Sequence, residues 1–171
     1  SYVHDGSETT TDSFTYTASD GTDTGSVTTA TITITPVNDA PVVSAATLTT
    51  LEDTAGSVTL SGTDADGDAL TYSAGAATNG TVTVSGSTAT YTPNAGYNGA
   101  DSFTYTANDR TVDSAPATVT VTVTLVNDTP VAVAASLTTA EDTAGTVTLS
   151  GTDGDGDALT FTAGAASNGT V

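Results

Sequence analysis

The sequence repeats itself at a fixed interval of 89 residues, and this period limits the folds open to the chain. "VNDAPV" at 37–42 recurs as "VNDTPV" at 126–131. "EDTAGSVTLSGTDADGDALTY" at 52–72 recurs as "EDTAGTVTLSGTDGDGDALTF" at 141–161. Self-similarity at one period is typical of tandem arrays, in which each repeat is one structural unit.

A third pair of segments gives the phase of the array. "DSFTYTASD" at 12–20 recurs as "DSFTYTAND" at 101–109, again 89 residues later. We therefore predict one complete unit at 40–128. Residues 1–39 are expected to be the C-terminal part of a preceding unit, and residues 129–171 the N-terminal part of a following one.

The hydrophobic period within the complete unit is two. "TVTVTVTLV" at 118–126 and "SFTYTA" at 102–107 alternate apolar residues with threonine or serine, which predicts strands with one buried face. "VTVSGSTATYT" at 82–92 predicts a hairpin about Gly86. "PVVSAATLT", "SVTLS" and "ALTYS" predict three more strands. About seven short strands without a helical period predict an all-β fold of tandem seven-stranded Greek-key β-sandwiches, of the cadherin-like or immunoglobulin-like type. The alternation at 118–126 predicts a buried row of Val119, Val121, Val123 and Leu125.

The charge of the chain is strongly one-sided. Twenty acidic residues stand against a single basic residue, Arg110, and the formal net charge is −19. Nucleic-acid binding needs Lys and Arg to neutralise phosphates, so this class of function is excluded. No stretch has the roughly 20 apolar residues of a membrane span. Since Arg110 cannot neutralise these carboxylates, an external cation is their natural partner.

The acidic residues are gathered into loops that point to calcium. Asp64, Asp66 and Asp68 lie within five positions, and the same spacing recurs 89 residues later. Neighbouring carboxylates repel one another unless a cation lies between them, and calcium binds six to eight oxygens. An EF-hand is excluded because Ala69 and Gly75 stand where that loop requires Gly and Glu. The alternative is that Asp and Gly serve only as turn formers.

Five separated motifs resemble a known family. "GTDADGDALTYS", "TANDR" and "VNDAP" are similar to the calcium-binding segments of cadherin repeats. The order "VNDAPV", "ED", "DxDGD", "YTPNAGYNGADSFTYTA", "VND" resembles the bacterial cadherin-like and immunoglobulin-like tandem repeats, of VCBS type, of large surface adhesins. The resemblance covers the whole chain.

The resemblance implies that calcium is bound at the joints between units, with ligands from both neighbours. The first joint would use Asn38, Asp39, Asp64, Asp66 and Asp109. The second joint would use Glu52, Asn127, Asp128, Asp153 and Asp155.

Three further aspartates complete the predicted ligand set. Asp68 and Asp157 either contribute to the joints or are solvated turn residues. The acidic "DRE" motif of cadherins is missing from "NAGYNGADS" at 94–102, where Asp101 is the candidate substitute. Fewer ions per joint than in a cadherin are therefore expected.

These features predict a function without catalysis. The one histidine, His4, occupies the place of Pro93 in the complete unit, so it is not expected to act as a base. The resemblance implies a calcium-stiffened extender segment of a large secreted adhesin or biofilm protein at the bacterial cell surface. The alternatives are a self-assembling surface-layer or filament subunit, and a calcium-dependent carbohydrate- or ice-binding module. The expected partners are neighbouring repeats of the same chain, or copies that pair head to tail.

Overall fold

The computed structural model describes residues 1–171, which form 13 strands. None of its elements is a helix with the length and apolarity that a bilayer crossing requires. The strands are β1 (Thr11–Tyr16), β2 (Thr28–Thr33), β3 (Val42–Val43), β4 (Ala46–Leu51), β5 (Gly56–Thr59), β6 (Gly62–Thr63), β7 (Thr71–Ala74), β8 (Gly80–Ser85), β9 (Thr88–Pro93), β10 (Gly99–Asn108), β11 (Ala117–Thr124), β12 (Val131–Val133) and β13 (Ser150–Thr152).

Strands β3 to β11 form a two-layer sandwich, which we call the central sandwich (residues 42–124). One sheet has the order β4-β11-β10-β7 and the other has the order β5-β9-β8. The short pair β3-β6 completes it. The predicted all-β, immunoglobulin-like class is confirmed.

Two of the predicted strands are each divided in the structure. The first strand breaks between β3 and β4, because β3 pairs with β6 whereas β4 crosses to pair in parallel with β11. The second strand breaks between β5 and β6 around Leu60, which is buried. The predicted hairpin is formed by β8 and β9, and Gly86 takes the positive φ that its tight turn requires.

The core is formed by the inward row of each strand. Tyr91 and Tyr105 are fully buried, and they pack with Phe103 and with the alternate valines of β11. Val119, Val121 and Val123 are buried as predicted, while the intervening threonines face outward. Leu125 was predicted in the same row, and this is wrong: β11 ends at Thr124, so Leu125 lies beyond the sheet and is half exposed.

The strand directions place the acidic segments at the two ends of the sandwich. Because β4 and β11 are parallel and Leu51 is level with Thr124, both strands deliver their following residues to one end. That end carries Glu52 and the segment leading to residue 128. The acidic loop after β6 and the turn after β10 lie at the other end, where β3 begins.

The terminal segments form smaller sheets. β1 pairs with β2, and β12 pairs with β13, each antiparallel. Most of their large apolar side chains are exposed: Phe14 and Tyr16 are each 52% accessible, while Ile32 is half-buried.

Candidate metal centre

Residues 38 and 39 are attached to one end of the central sandwich, and we call this region the first joint. The backbone amide of Asp39 donates to Oδ2 of Asp66 at 2.8 Å. Nδ2 of Asn38 donates to Oδ2 of Asp109, also at 2.8 Å. Four of the five residues predicted for this joint are therefore brought together by direct hydrogen bonds.

Asp109 is held in its charged form. Its side chain is buried, with 3% of its surface accessible. Oδ1 accepts the amides of Thr111 and Val112 at 2.6 and 2.7 Å. The hydrogen bond from Asn38, followed by these backbone bonds, holds the pKa of Asp109 below its usual value.

The second joint repeats this arrangement at the other end of the sandwich. The amide of Asp128 donates to Oδ2 of Asp155 at 2.6 Å, which matches the bond of the first joint 89 residues earlier. On the other side, the buried carboxylate of Glu52 accepts the amide of Val126. Nδ2 of Asn127 bonds the carbonyl of Asp128 at 2.8 Å and fixes the turn between them. The short linker is thus bonded to acidic side chains on both sides.

Carboxylates converge at this second joint. One oxygen from each of Asp153, Asp155 and Asp157 lies within 4.8 Å of the others. The negative charge of Asp155, then burial, then Glu52 and other acidic neighbours raise the pKa of Asp128 above its usual value. The group is therefore an electrostatically unfavourable cluster, of the kind that a bound cation relieves.

The first joint contains an oxygen without a hydrogen-bond partner. Oδ2 of Asp64 is buried and accepts no bond, whereas Oδ1 accepts the amide of Asp68 at 3.1 Å. A buried carboxylate oxygen without a donor is costly, and a cation is one way to satisfy it. The amide of Asp157 bonds Oδ1 of Asp153 in the same way at 3.2 Å. The backbone amide of the third aspartate of each loop is thus held in the turn by the carboxylate of the first aspartate.

Asp101 does not join either group. Its carboxylate accepts the amides of Asn79 and Ser102, each at 2.8 Å, and the hydroxyl of Tyr91 at 2.9 Å. Burial by itself would raise the pKa of Asp101, but these hydrogen bonds outweigh it and hold the pKa below its usual value. Asp101 therefore anchors the loop before β8 to a core tyrosine.

Two acidic residues outside the predicted set face the joints. A hydrogen-bonding contact with Asp66 raises the pKa of Glu8, which also lines a surface cleft with Asp39. Asp53 adds negative charge beside Asp128. Asp53 could have been predicted from the sequence, because it follows Glu52 in the repeated "ED" pair. No repeat signal existed for Glu8, because Tyr97 holds its place in the complete unit.

The donor set of both joints fits a hard cation. It consists of carboxylate and amide oxygens, with no sulfur and no imidazole, which suits calcium rather than zinc. The one contact of the chain that could be an ion pair joins His4 to Asp5 at 3.9 Å, and it involves none of the predicted ligands. Neither Glu52 nor Asp109, both buried, has a cationic partner within the chain.

These features define a protein with a β-sandwich module that carries a short, acidic linker at each end. The family description "Bacterial Ig domain" matches residues 38–122 and again residues 127–171, which together make up most of the chain. The chain belongs to the bacterial Ig domain family. A search of curated proteins found no match.

Two solved structures show a partial likeness. One is an endo-fucoidan hydrolase, MfFcnA4, from glycoside hydrolase family 107, with 26% identity and a TM-score of 0.44 over 70% of this chain and 19% of that one. Another is the endo-fucoidan hydrolase MfFcnA9 of the same family, with 18% identity and a TM-score of 0.38 over 68% and 22%. The chain thus spans about a fifth of each of these proteins. Such TM-scores are too low to bear on its function.

Proposed function

We propose that the chain is a stretch of bacterial Ig modules whose joints bind calcium, and that calcium stiffens the array. The observation that carries this proposal is the repeated bond from the linker amide to the second aspartate of the acidic loop. Asp39 makes it to Asp66 and Asp128 makes it to Asp155. In both places the bond holds the linker against carboxylates that have no basic side chain paired with them.

The mechanism of stiffening follows from where the ligands originate. Glu52 belongs to the end of the central sandwich, Asp128 to the linker, and Asp155 to the segment that follows. A cation bound by all three would restrain the rotation of one module against the next. Carboxylates that repel one another without the ion would let the joint open, since each gains solvation by separating.

The proposed setting is a large secreted adhesin or biofilm protein at the bacterial cell surface, in which these modules act as spacers. A non-catalytic role is part of this proposal. Ser7 donates its hydroxyl hydrogen bond to Asp5, and Nε2 of His4 lies 3.3 Å from the hydroxyl oxygen of Thr9; both contacts are exposed.

The proposal is tested by calcium calorimetry together with small-angle X-ray scattering. Extracellular calcium modules bind with Kd values of about 10⁻⁴ to 10⁻³ M. At tenfold excess over Kd, one ion adds roughly 1.4 kcal/mol to the free energy of unfolding. This is small beside the roughly 5–15 kcal/mol of a domain, so the central sandwich should stay folded in chelator.

The maximum dimension of the chain and its spread of shapes should change with the ion. In calcium, we expect a larger maximum dimension and a narrower spread of shapes than in chelator. No measurable calcium heat, or identical scattering curves in the two conditions, would contradict the proposal.

A further inference from the structure

The two acidic loops differ from each other at one position. Residues 62–71 and 151–160 are identical except that Ala65 in the first is replaced by Gly154 in the second. The change removes one methyl group, and it lies between the first two aspartates of each loop.

Gly154 lies directly against the linker carboxylate of the second joint. A Cβ built on Gly154 would stand 2.8 Å from Cγ of Asp128 and 3.1 Å from its Cβ, with Oδ2 closer still. Since Cβ atoms do not approach other atoms so closely, Asp128 can hold this position only over a glycine. Gly154 does not need glycine for its backbone, because its φ lies outside the left-handed region.

The first joint has alanine at this position. If its linker carboxylate were placed as that of Asp128 is in the second joint, the methyl group of Ala65 would occupy the same space. Asp39 keeps the equivalent backbone bond to Asp66, so the linker backbone is held against the acidic loop at the same point in both joints.

The carboxylates of the two loops are also arranged differently. Oδ1 of Asp153 accepts two amides, those of Asp155 and Asp157, and the three side chains of its loop converge. Oδ1 of Asp64 accepts the amide of Asp68 alone. The three aspartates of the first loop do not form the close group seen in the second.

We propose that the residue at this position determines how tightly each joint binds calcium. Glycine lets the linker carboxylate reach the cation site, and alanine keeps it out. This inference rests on the proposed calcium function. The second joint, with Gly154, then binds calcium more tightly because Asp128 adds its charge to the site. The first joint, with Ala65, binds it more weakly. An array of such modules would stiffen in steps as calcium rises.

The test exchanges the two residues in the chain of residues 1–171. The variants are Gly154→Ala and Ala65→Gly, with Ala69→Gly as a control that adds a glycine to the first loop away from the linker. Calcium chloride is titrated while the amide resonances of Gly67 and Gly156 report the two joints separately. Without calcium, nuclear Overhauser contacts between the Asp128 methylene and the Gly154 α-protons check the geometry.

In the unaltered chain, we expect the second joint to saturate at roughly tenfold lower calcium than the first, since ligand charge sets affinity in such sites. Gly154→Ala should raise the midpoint of the second joint to that of the first. Ala65→Gly should lower the midpoint of the first joint, and Ala69→Gly should leave both unchanged.

The outcomes separate this inference from the function on which it rests. Calcium binding at both joints with equal midpoints, or a Gly154→Ala midpoint equal to that of the unaltered chain, would overturn the inference alone. The absence of any calcium response at either joint would overturn both. If Ala65→Gly and Ala69→Gly shifted the calcium midpoint of the first joint equally, the shift would be due to loop flexibility, and the inference would also be overturned.

Discussion

Asp101, which the sequence places among the candidate calcium ligands, forms a partly buried hydrogen bond with Tyr91. We expect Asp101→Asn to lower the free energy of unfolding of the central sandwich by about 1–3 kcal/mol, because the partly buried amide of Asn79 and hydroxyl of Tyr91 lose a charged acceptor. Calcium stoichiometry should stay unchanged. Chemical denaturation and calorimetry measure the two effects. Loss of a calcium ion in this variant would restore Asp101 to the ligand set.

The same residue gives a pH dependence whose sign follows from its lowered pKa. A carboxyl group with a folded-state pKa below its unfolded value stabilises the fold at higher pH, and this contribution is lost as pH falls through the folded pKa. The stability of the unaltered chain should therefore decrease below about pH 4. The Asp101→Asn variant should lose less over this range, and parallel curves would contradict the assignment.

Replacing Asp64 and Asp66 together tests the ligand assignment at the first joint. The double change to Asn keeps one neutral oxygen at each position and removes the charge that attracts the ion. We expect weaker calcium binding at the first joint and little change in the unfolding midpoint in chelator. Asp113→Asn is the matched control, since Asp113 is an exposed acid of the same unit that bonds Asn108. Unaltered stoichiometry and affinity in the double variant would show that the ligands lie elsewhere.

Gly80, at the start of β8, shows how strand packing selects a residue. A Cβ at this position would stand 2.5 Å from the ring of Tyr91 and 2.6 Å from the carbonyl of Thr92. Gly80→Ala should therefore lower the free energy of unfolding by about 1–3 kcal/mol through overpacking. Gly169 is its counterpart 89 residues later and has no atom within 4 Å of such a Cβ. Gly169→Ala should leave thermal unfolding unchanged, and equal effects of the two changes would contradict the packing explanation.

The whole molecule combines a covered core with uncovered strand faces. Residues 40–128 contain the buried cluster, whereas β1 and β12 expose Phe14, Tyr16, Val131 and Val133. We expect residues 40–128 to be a folded monomer, and residues 1–171 to associate head to tail at micromolar concentration, because open strands with apolar faces pair with other copies. Sedimentation velocity measures both. A monomeric chain of 171 residues with every strand protected from hydrogen exchange would refute this expectation.

The residue types of the candidate site could be predicted from the sequence, but not every individual residue. The repeated motifs indicated the linker residues and the acidic loops, because calcium chemistry requires oxygen ligands close together in sequence and on both sides of a joint. Asp101 was placed with them by a loose alignment, and only the folded chain shows it bonded to Asn79 and Tyr91 instead. The exchange of Ala65 for Gly154 looks conservative in sequence. Its consequence depends on where the Asp128 side chain lies in space.

One segment separates what the sequence determines from what the tertiary structure decides. "DSFTYTA" occurs at 12–18 and at 101–107, and residues 12–16 of the first copy and all of the second lie in a strand with an antiparallel partner, β2 or β11. Alternation by itself determined the strand and the shared face of its aromatic residues, because successive side chains point to opposite sides. Phe103 is 2% accessible and Phe14 is 52% accessible. That difference was decided by the second sheet, since a face is buried only where other strands cover it.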